Sequence, residues 1–349
     1  LVPRSISLGD SLPPLPVIDA EKKEKTNKKL DKSVRLSHGE AGKVKVIAGS
    51  GRRENALLLQ KYFETRFELI DSGLEQALAS DKAYAKNLKE AMYNAVIPGG
   101  KRWRPLLLIS VFEMLTGFKK NRKLTDAVAA GVAIELLHNA AIVHDDLPSI
   151  MNRSTRRGQP AIHQKYDNVV AIFAADALYT LAFEVLASIS DPEKALQCTQ
   201  ILSNYAKSYG MVGGQAVDLG NKRKVMKINT LRYIDMKKVG SLLQASADIA
   251  CALANADDNT RQIMNGYALN LGIAYQMIED IEADYARGSD GLDEEYVPVS
   301  KTSYTGLLGF DKARKTAENL LEESKRMIKP FANNAVLLEF VQMIKERLP

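Results

Sequence analysis

At 349 residues with 46% hydrophobic content, the chain is long enough for one large domain or two, with ample material for a core. Its formal charge of +6 comes without any arginine stripe interleaved with aromatics, which argues against a nucleic-acid partner. Basic clefts for phosphorylated small molecules account for the same balance. Two cysteines, Cys198 and Cys251, are too few for a disulfide framework or a zinc cluster, and both read as core residues of a reducing compartment rather than of a secreted protein. No apolar run approaches the roughly 20 residues that span a bilayer.

The opening "LVPRS" resembles the scar of a protease-cleavable tag and is set aside. The rest of residues 1–55 is rich in Lys, Pro, Ser and Gly without apolar period, and reads as a flexible basic arm. A remnant of an organelle-targeting leader is one reading of it, although its acids fit a transit peptide poorly. From residue 56 to 349 the texture is helical. "LLLQKYFETRFELIDSGLEQAL" steps its apolar residues by three and four. "KLTDAVAAGVAIELLHNAAIVHDDL" and "NVVAIFAADALYTLAFEVLASI" are apolar on nearly all sides, as in the middle of a large bundle. No segment alternates with a period of two, so strands are not expected, and heptads are not sustained. One all-α domain follows.

Two acidic clusters punctuate these helices. Asp145 and Asp146 close a buried helix, at the end whose dipole disfavours carboxylates. A solvated terminus explains such a pair, and so does a bound cation. "YQMIEDIEADYARG" places Asp280 and Asp284 on one helix face. Two such clusters suit divalent cations clamping a diphosphate, since Mg²⁺ binds jointly to carboxylate and phosphate oxygens; a charged outer face is the blander reading. The basic groups are the Gly-bracketed loop "PGGKRWRP", with Lys101, Arg102 and Arg104 as donors, and the pair Arg156 and Arg157.

In order along the chain, "GGKRWRP", "LLHNAAIVHDDLPS", "RRGQPAIH", "DALYTLAFEVL", "GMVGGQAVDL", "KKVGSLLQAS", "YQMIEDI" and "SKTSYTGLLG" resemble the trans-isoprenyl diphosphate synthases, above all the geranylgeranyl type. The resemblance implies a helical bundle around a deep central cavity, usually dimeric. It also implies three Mg²⁺ ions, and condensation of isopentenyl diphosphate with an ionised allylic diphosphate. Carried over by motif, Lys101, Arg104, His138 and Arg157 would hold isopentenyl diphosphate, and Arg156 the allylic diphosphate. Lys238, Gln276 and Lys301 match family positions, as do Gln215 and Asp218. Asp145, Asp146, Glu279 and Asp280 remain as metal ligands, with Asn152 as a neutral oxygen.

The acidic motifs depart from the family. Its "DDLPSMDND" reads "DDLPSIMNR", so Met151 and Arg153 replace acids. Its "DDILD" reads "EDIEA", with Gln276 fixing the register and Ala283 in the last place. Thioether sulfur does not suit magnesium, so a slow synthase is expected. Ala140 and Ala141, one turn before Asp145, are small and imply room for a product of C20 or longer; alanine's helix propensity explains them as well. Three functions follow in order: a working synthase, a non-catalytic subunit of a heteromer, and a divergent enzyme that cyclises a prenyl diphosphate or uses another acceptor. The expected location is cytoplasmic or an organellar, plastid-like matrix.

Overall fold

A computed structural model of the protein describes residues 53–80, 84–117, 122–221, 226–289 and 303–349. The tag-like start, most of the basic arm and Lys301 lie outside the described residues. In chain order the first elements are α1 (Arg53–Ser80), α2 (Lys86–Val96), α3 (Trp103–Thr116) and α4 (Arg122–Asp146). A small hairpin follows, β1 (Thr155–Arg156) and β2 (Gln159–Pro160), then α5 (Ile162–Lys165), α6 (Asn168–Ala187), α7 (Pro192–Ala206), α8 (Met211–Asn221) and α9 (Ile228–Ile234). A π-helical turn, Asp235–Gly240, joins α9 to α10 (Ser241–Ala254). The chain ends with α11 (Asp258–Ser289), α12 (Tyr304–Leu308), α13 (Phe310–Ile328) and α14 (Ala335–Lys345).

The fold is all-α, as the helical texture predicts, and its buried residues form one contiguous core. α4 is apolar all round because it is surrounded: it packs on α1, α3, α6 and α10, and Ile134, Leu136 and Leu137 are all fully buried. α11 lies against α10, α13 and the π turn. Local chemistry sets the helix ends. Asp191 accepts from the Glu193 amide at 2.9 Å with Pro192 in the first position of α7, and Gly117 ends α3 at φ 78°. Cys198 and Cys251 are free and buried, as expected of core residues.

Two expectations are corrected. Strands were not expected, yet β1 and β2 pair antiparallel, Thr155 opposite Pro160 and Arg156 opposite Gln159. Arg157 and Gly158 between them both take positive φ, 51° and 74°, as a two-residue hairpin turn requires; a strand of two residues is too short to show alternation. Secondly, Lys123–Asp146 and Asn168–Ala187 are long and apolar enough to cross a membrane by length and composition. Counting uninterrupted apolar runs misses them, because alanine-rich helices with scattered charges reach the same mean hydropathy. In α4 that apolar window is 78% buried in the bundle, as in any core helix, whereas in α6 it is 44% buried. Val169, Ile172 and Phe173 form an exposed apolar stretch on α6.

Candidate functional site

The basic side of the site grows from the loop between α2 and α3. Gly99 and Gly100 sit at φ 119° and 140°, conformations that favour glycine. A Cβ on Gly100 would stand 3.0 Å from Arg157 Nη2, so the absence of a side chain lets two guanidinium groups close on the loop. The Gly99 carbonyl accepts from Arg102 Nη1 at 3.3 Å and from Arg157 Nη1. Arg102 turns inward, which corrects its reading as a ligand donor: it bonds Asp71 and Glu135 at 3.0 Å each and the Val96 carbonyl at 2.8 Å. It therefore holds the loop in shape. Arg102 and Arg157 both occupy the left-handed region, at φ 47° and 51°, a strain of about 1–3 kcal/mol each of the kind that concentrates at functional sites.

Arg104, on α3, meets His138, on α4, at 3.1 Å through Nη1 and Nε2. A guanidinium only donates, so His138 Nε2 is the acceptor and carries no proton. Burial, reinforced by the charges of Arg104 and Arg157, holds the His138 pKa well below its ordinary value. Arg104 Nε is buried with no partner among the described residues. Lys101 Nζ donates to the Tyr275 hydroxyl at 3.0 Å, and burial followed by the charge of Arg347 lowers its pKa. The structure thus brings Arg104, His138 and Arg157 together, while Lys101 turns toward Tyr275 and the charges of Arg347, Glu279 and Glu282.

On the acidic side Asp145, Asp146, Glu279, Asp280 and Glu282 each meet a partner from another element. α4 ends at Asp146, which is 3% exposed and gives both oxygens to Arg156, with Nε at 3.0 Å from Oδ2. Asp145 is half-buried and lies 3.9 Å from Lys238 Nζ, which binds Asp218 at 2.8 Å. Lys238 sits on the π turn, where helix geometry is commonly disturbed at working sites. Gly214 of α8 makes this contact possible: a Cβ there would stand 2.5 Å from the Lys238 amide nitrogen. Burial raises the Asp145 pKa, and pushes the neighbouring buried Asp235 up to about 7 with the charges of Asp280 and Asp218 adding to it.

The second motif lies on α11. Asp280 accepts from the Tyr304 amide at 2.8 Å. Glu279 lies 3.6 Å from Arg347 Nη2, and Glu282 accepts from Arg347 Nε at 3.0 Å. Gln276 is half-buried on the turn before Glu279 and Asp280, and Ala283 is exposed. Ala140 is fully buried and Ala141 half-buried on the turn of α4 before Asp145. Past the helix end, the Met151 amide donates to the Asp145 carbonyl at 3.0 Å and closes the turn. Arg347 and Tyr275 escaped the sequence reading. The one signal was Glu282, an acid where the family pattern has leucine.

These residues do not assemble the magnesium site that the resemblance implies. Mg²⁺ needs several converging oxygens, yet Arg156 holds both oxygens of Asp146, Lys238 lies between Asp145 and Asp218, and Met151 brings sulfur. Among the described residues no group of three or more His, Cys, Asp or Glu stands together so as to hold a metal ion.

The family model described as polyprenyl synthetase matches residues 85–296. The dimethylallyltranstransferase of Fischerella ambigua (strain UTEX 1903) is 32% identical over 80% of this chain and 81% of its own length. The geranylgeranyl diphosphate synthase of Cyanophora paradoxa is 31% identical over 80% of this chain and 93% of its own. Among solved structures, an apo FPP/GFPP synthase from Zymomonas mobilis superposes with a TM-score of 0.73 at 30% identity, covering 83% of this chain and 99% of that one.

Proposed function

The chain belongs to the polyprenyl synthetase family, and from that premise we propose that it joins isopentenyl diphosphate to an allylic prenyl diphosphate, giving a trans-prenyl diphosphate of C20 or longer. The basic side carries this reading. Arg104 and Arg157 bear on a neutral His138, Lys101 extends from the loop before α3 to Tyr275, and Arg104 keeps a buried donor without a partner among the described residues. Diphosphate oxygens satisfy that donor through charge-assisted bonds, and a guanidinium fork matches them in shape. His138, accepting from Arg104, sets the direction of the fork.

In the proposed reaction Arg156 and Lys238 exchange their carboxylate partners for the allylic diphosphate, meeting the charge that develops as its C–O bond breaks. The alkene of isopentenyl diphosphate attacks the allylic carbon, one C–C bond forms, and loss of a proton restores a double bond. Ala140 and Ala141 support a long product; Ala141→Phe should shorten it by at least one C5 unit, read by chromatography of the dephosphorylated chains. The exposed apolar stretch of α6 supports pairing with a second copy or a related synthase. Phe173→Glu should then leave a monomer in sedimentation.

A second reading, a subunit that binds isopentenyl diphosphate and alters an active partner, is favoured by the internal ion pairs that engage Asp146, Glu279 and Glu282. One experiment separates the two. Purified protein is incubated with Mg²⁺, labelled isopentenyl diphosphate and each allylic primer from C5 to C15. A C20 or longer product supports the synthase. Binding without product, together with a changed output from an added active synthase, supports the subunit.

A further inference from the structure

The last turn of the second acidic motif has exchanged two residue types. The family pattern carries leucine then aspartate where this chain carries Glu282 then Ala283. One residue along a helix is a rotation of about 100°, so the acid has moved to a different face of α11. That face meets the end of the chain. Arg347, just beyond α14, donates from Nε to Glu282 at 3.0 Å and from Nη2 to its other oxygen, and the same Nη2 lies 3.6 Å from Glu279. Its guanidinium also stacks 4.5 Å from the centre of the Tyr275 ring. Tyr275, Glu279 and Glu282 follow one another at steps of four and three, a single stripe along α11. The Arg347 side chain is only 12% exposed, whereas the two glutamates are 40% and 36% exposed. A well-buried cation thus seats itself on two carboxylates that would otherwise repel each other across one turn.

We infer that Arg347 is the resident counter-ion of the second acidic motif, occupying Glu279 and Glu282 in place of a divalent cation and latching the C-terminal end of the chain onto α11. The donor set already lacks the acid replaced by Ala283, and the chain brings its own cation to the glutamates that remain. The inference concerns the same site as the proposed reaction but does not rest on that reading, since it is tested by ion binding rather than by prenyl transfer.

The probe is Mn²⁺, followed by electron paramagnetic resonance on the full chain. In the wild type, Glu279→Gln leaves Mn²⁺ binding unchanged. Arg347→Gln gains an ion bound at least tenfold more tightly than any that the wild type binds through Glu279, and the gain disappears in the Arg347→Gln, Glu279→Gln double variant. A wild type that loses Mn²⁺ with Glu279→Gln, or a folded Arg347→Gln protein without a new ion, overturns the inference. Should Arg347→Gln fail to fold, Glu282→Leu restores the pattern's apolar residue and removes the closer of the two glutamates. Amide hydrogen exchange over residues 340–347 then rises at least tenfold, and unchanged exchange refutes the latch.

Discussion

The two sides of the site are built from the same kinds of side chain and end in opposite states. On the basic side, cations crowd against one another: Arg104 and Arg157 both bear on His138, and a buried Arg104 donor has no partner among the described residues. On the acidic side, Asp146 is held by Arg156, Asp218 by Lys238, and Glu282 by Arg347. A group already engaged within the protein must give up that partner before it can bind anything else, whereas an unengaged buried donor gains from any acceptor that reaches it. The basic side is therefore prepared for an anion. The acidic side is engaged chiefly by the chain's own cations, although Arg347 Nη1 is also buried without a partner among the described residues.

The sharpest way to break this contrast is to disable the prepared side. Arg104→Ala should weaken isopentenyl diphosphate binding by about 100- to 1000-fold in calorimetry, because loss of a partner from a desolvated charge pair costs about 2–5 kcal/mol. A loss below fivefold would remove Arg104 from the binding side. The opposite manipulation rebuilds the other side. The double variant Met151→Asp, Ala283→Asp should raise Mg²⁺-dependent incorporation of labelled isopentenyl diphosphate by at least tenfold, which corresponds to about 1.4 kcal/mol of transition-state stabilisation. No gain would mean that the internal ion pairs, rather than the missing ligands, limit the site.

Proton linkage separates the two sides in another way. Burial and neighbouring guanidinium charges depress the His138 pKa well below the ordinary imidazole value of 6.5. Below that value the unfolded chain binds a proton that the folded chain refuses, so this contribution to stability is complete above pH 6.5 and is lost as the pH falls. The slope can reach about 1.4 kcal/mol per pH unit. Thermal melts between pH 7.5 and 5.5 should show it, and His138→Gln should flatten it. The smallest effect is expected at the loop. Gly100→Ala forces a side chain into φ 140° beside Arg157 and should lower stability by about 1–2 kcal/mol in denaturant melts.

The sequence discloses whatever is contiguous. The apolar periodicity of α4 and its acidic end at Asp146, the glycines before Lys101 and the spacing from His138 to Asp145 are all local patterns, and the structure follows them. Partnerships between helices left no such mark. Nothing near Glu282 announces Arg347, 65 residues later, and nothing near Lys238 announces that it rests on Asp218. Residue type does not separate Arg102 from Arg104 in "KRWRP"; the family motif marks only Arg104, and packing adds that Arg102 bonds Asp71 and Glu135 while Arg104 faces His138. Charge type is written in the chain, but the choice of partner is set by how the helices pack.

The π turn at Asp235–Gly240 has an evolutionary side. A residue added to an uninterrupted helix rotates everything beyond it by about 100° and repacks the whole element. A π turn confines that offset to a single widened loop of backbone. α9 before it keeps Leu231 and Ile234 in the core, and α10 after it keeps Leu242 and Ala245 there. Lys238 rides on the offset itself and belongs to neither helix's register. Its aim is an adjustable mount: removal of one residue would redirect this cation while the two helices stayed where they are, so descendants of this chain could change what the lysine holds without rebuilding the bundle that carries it.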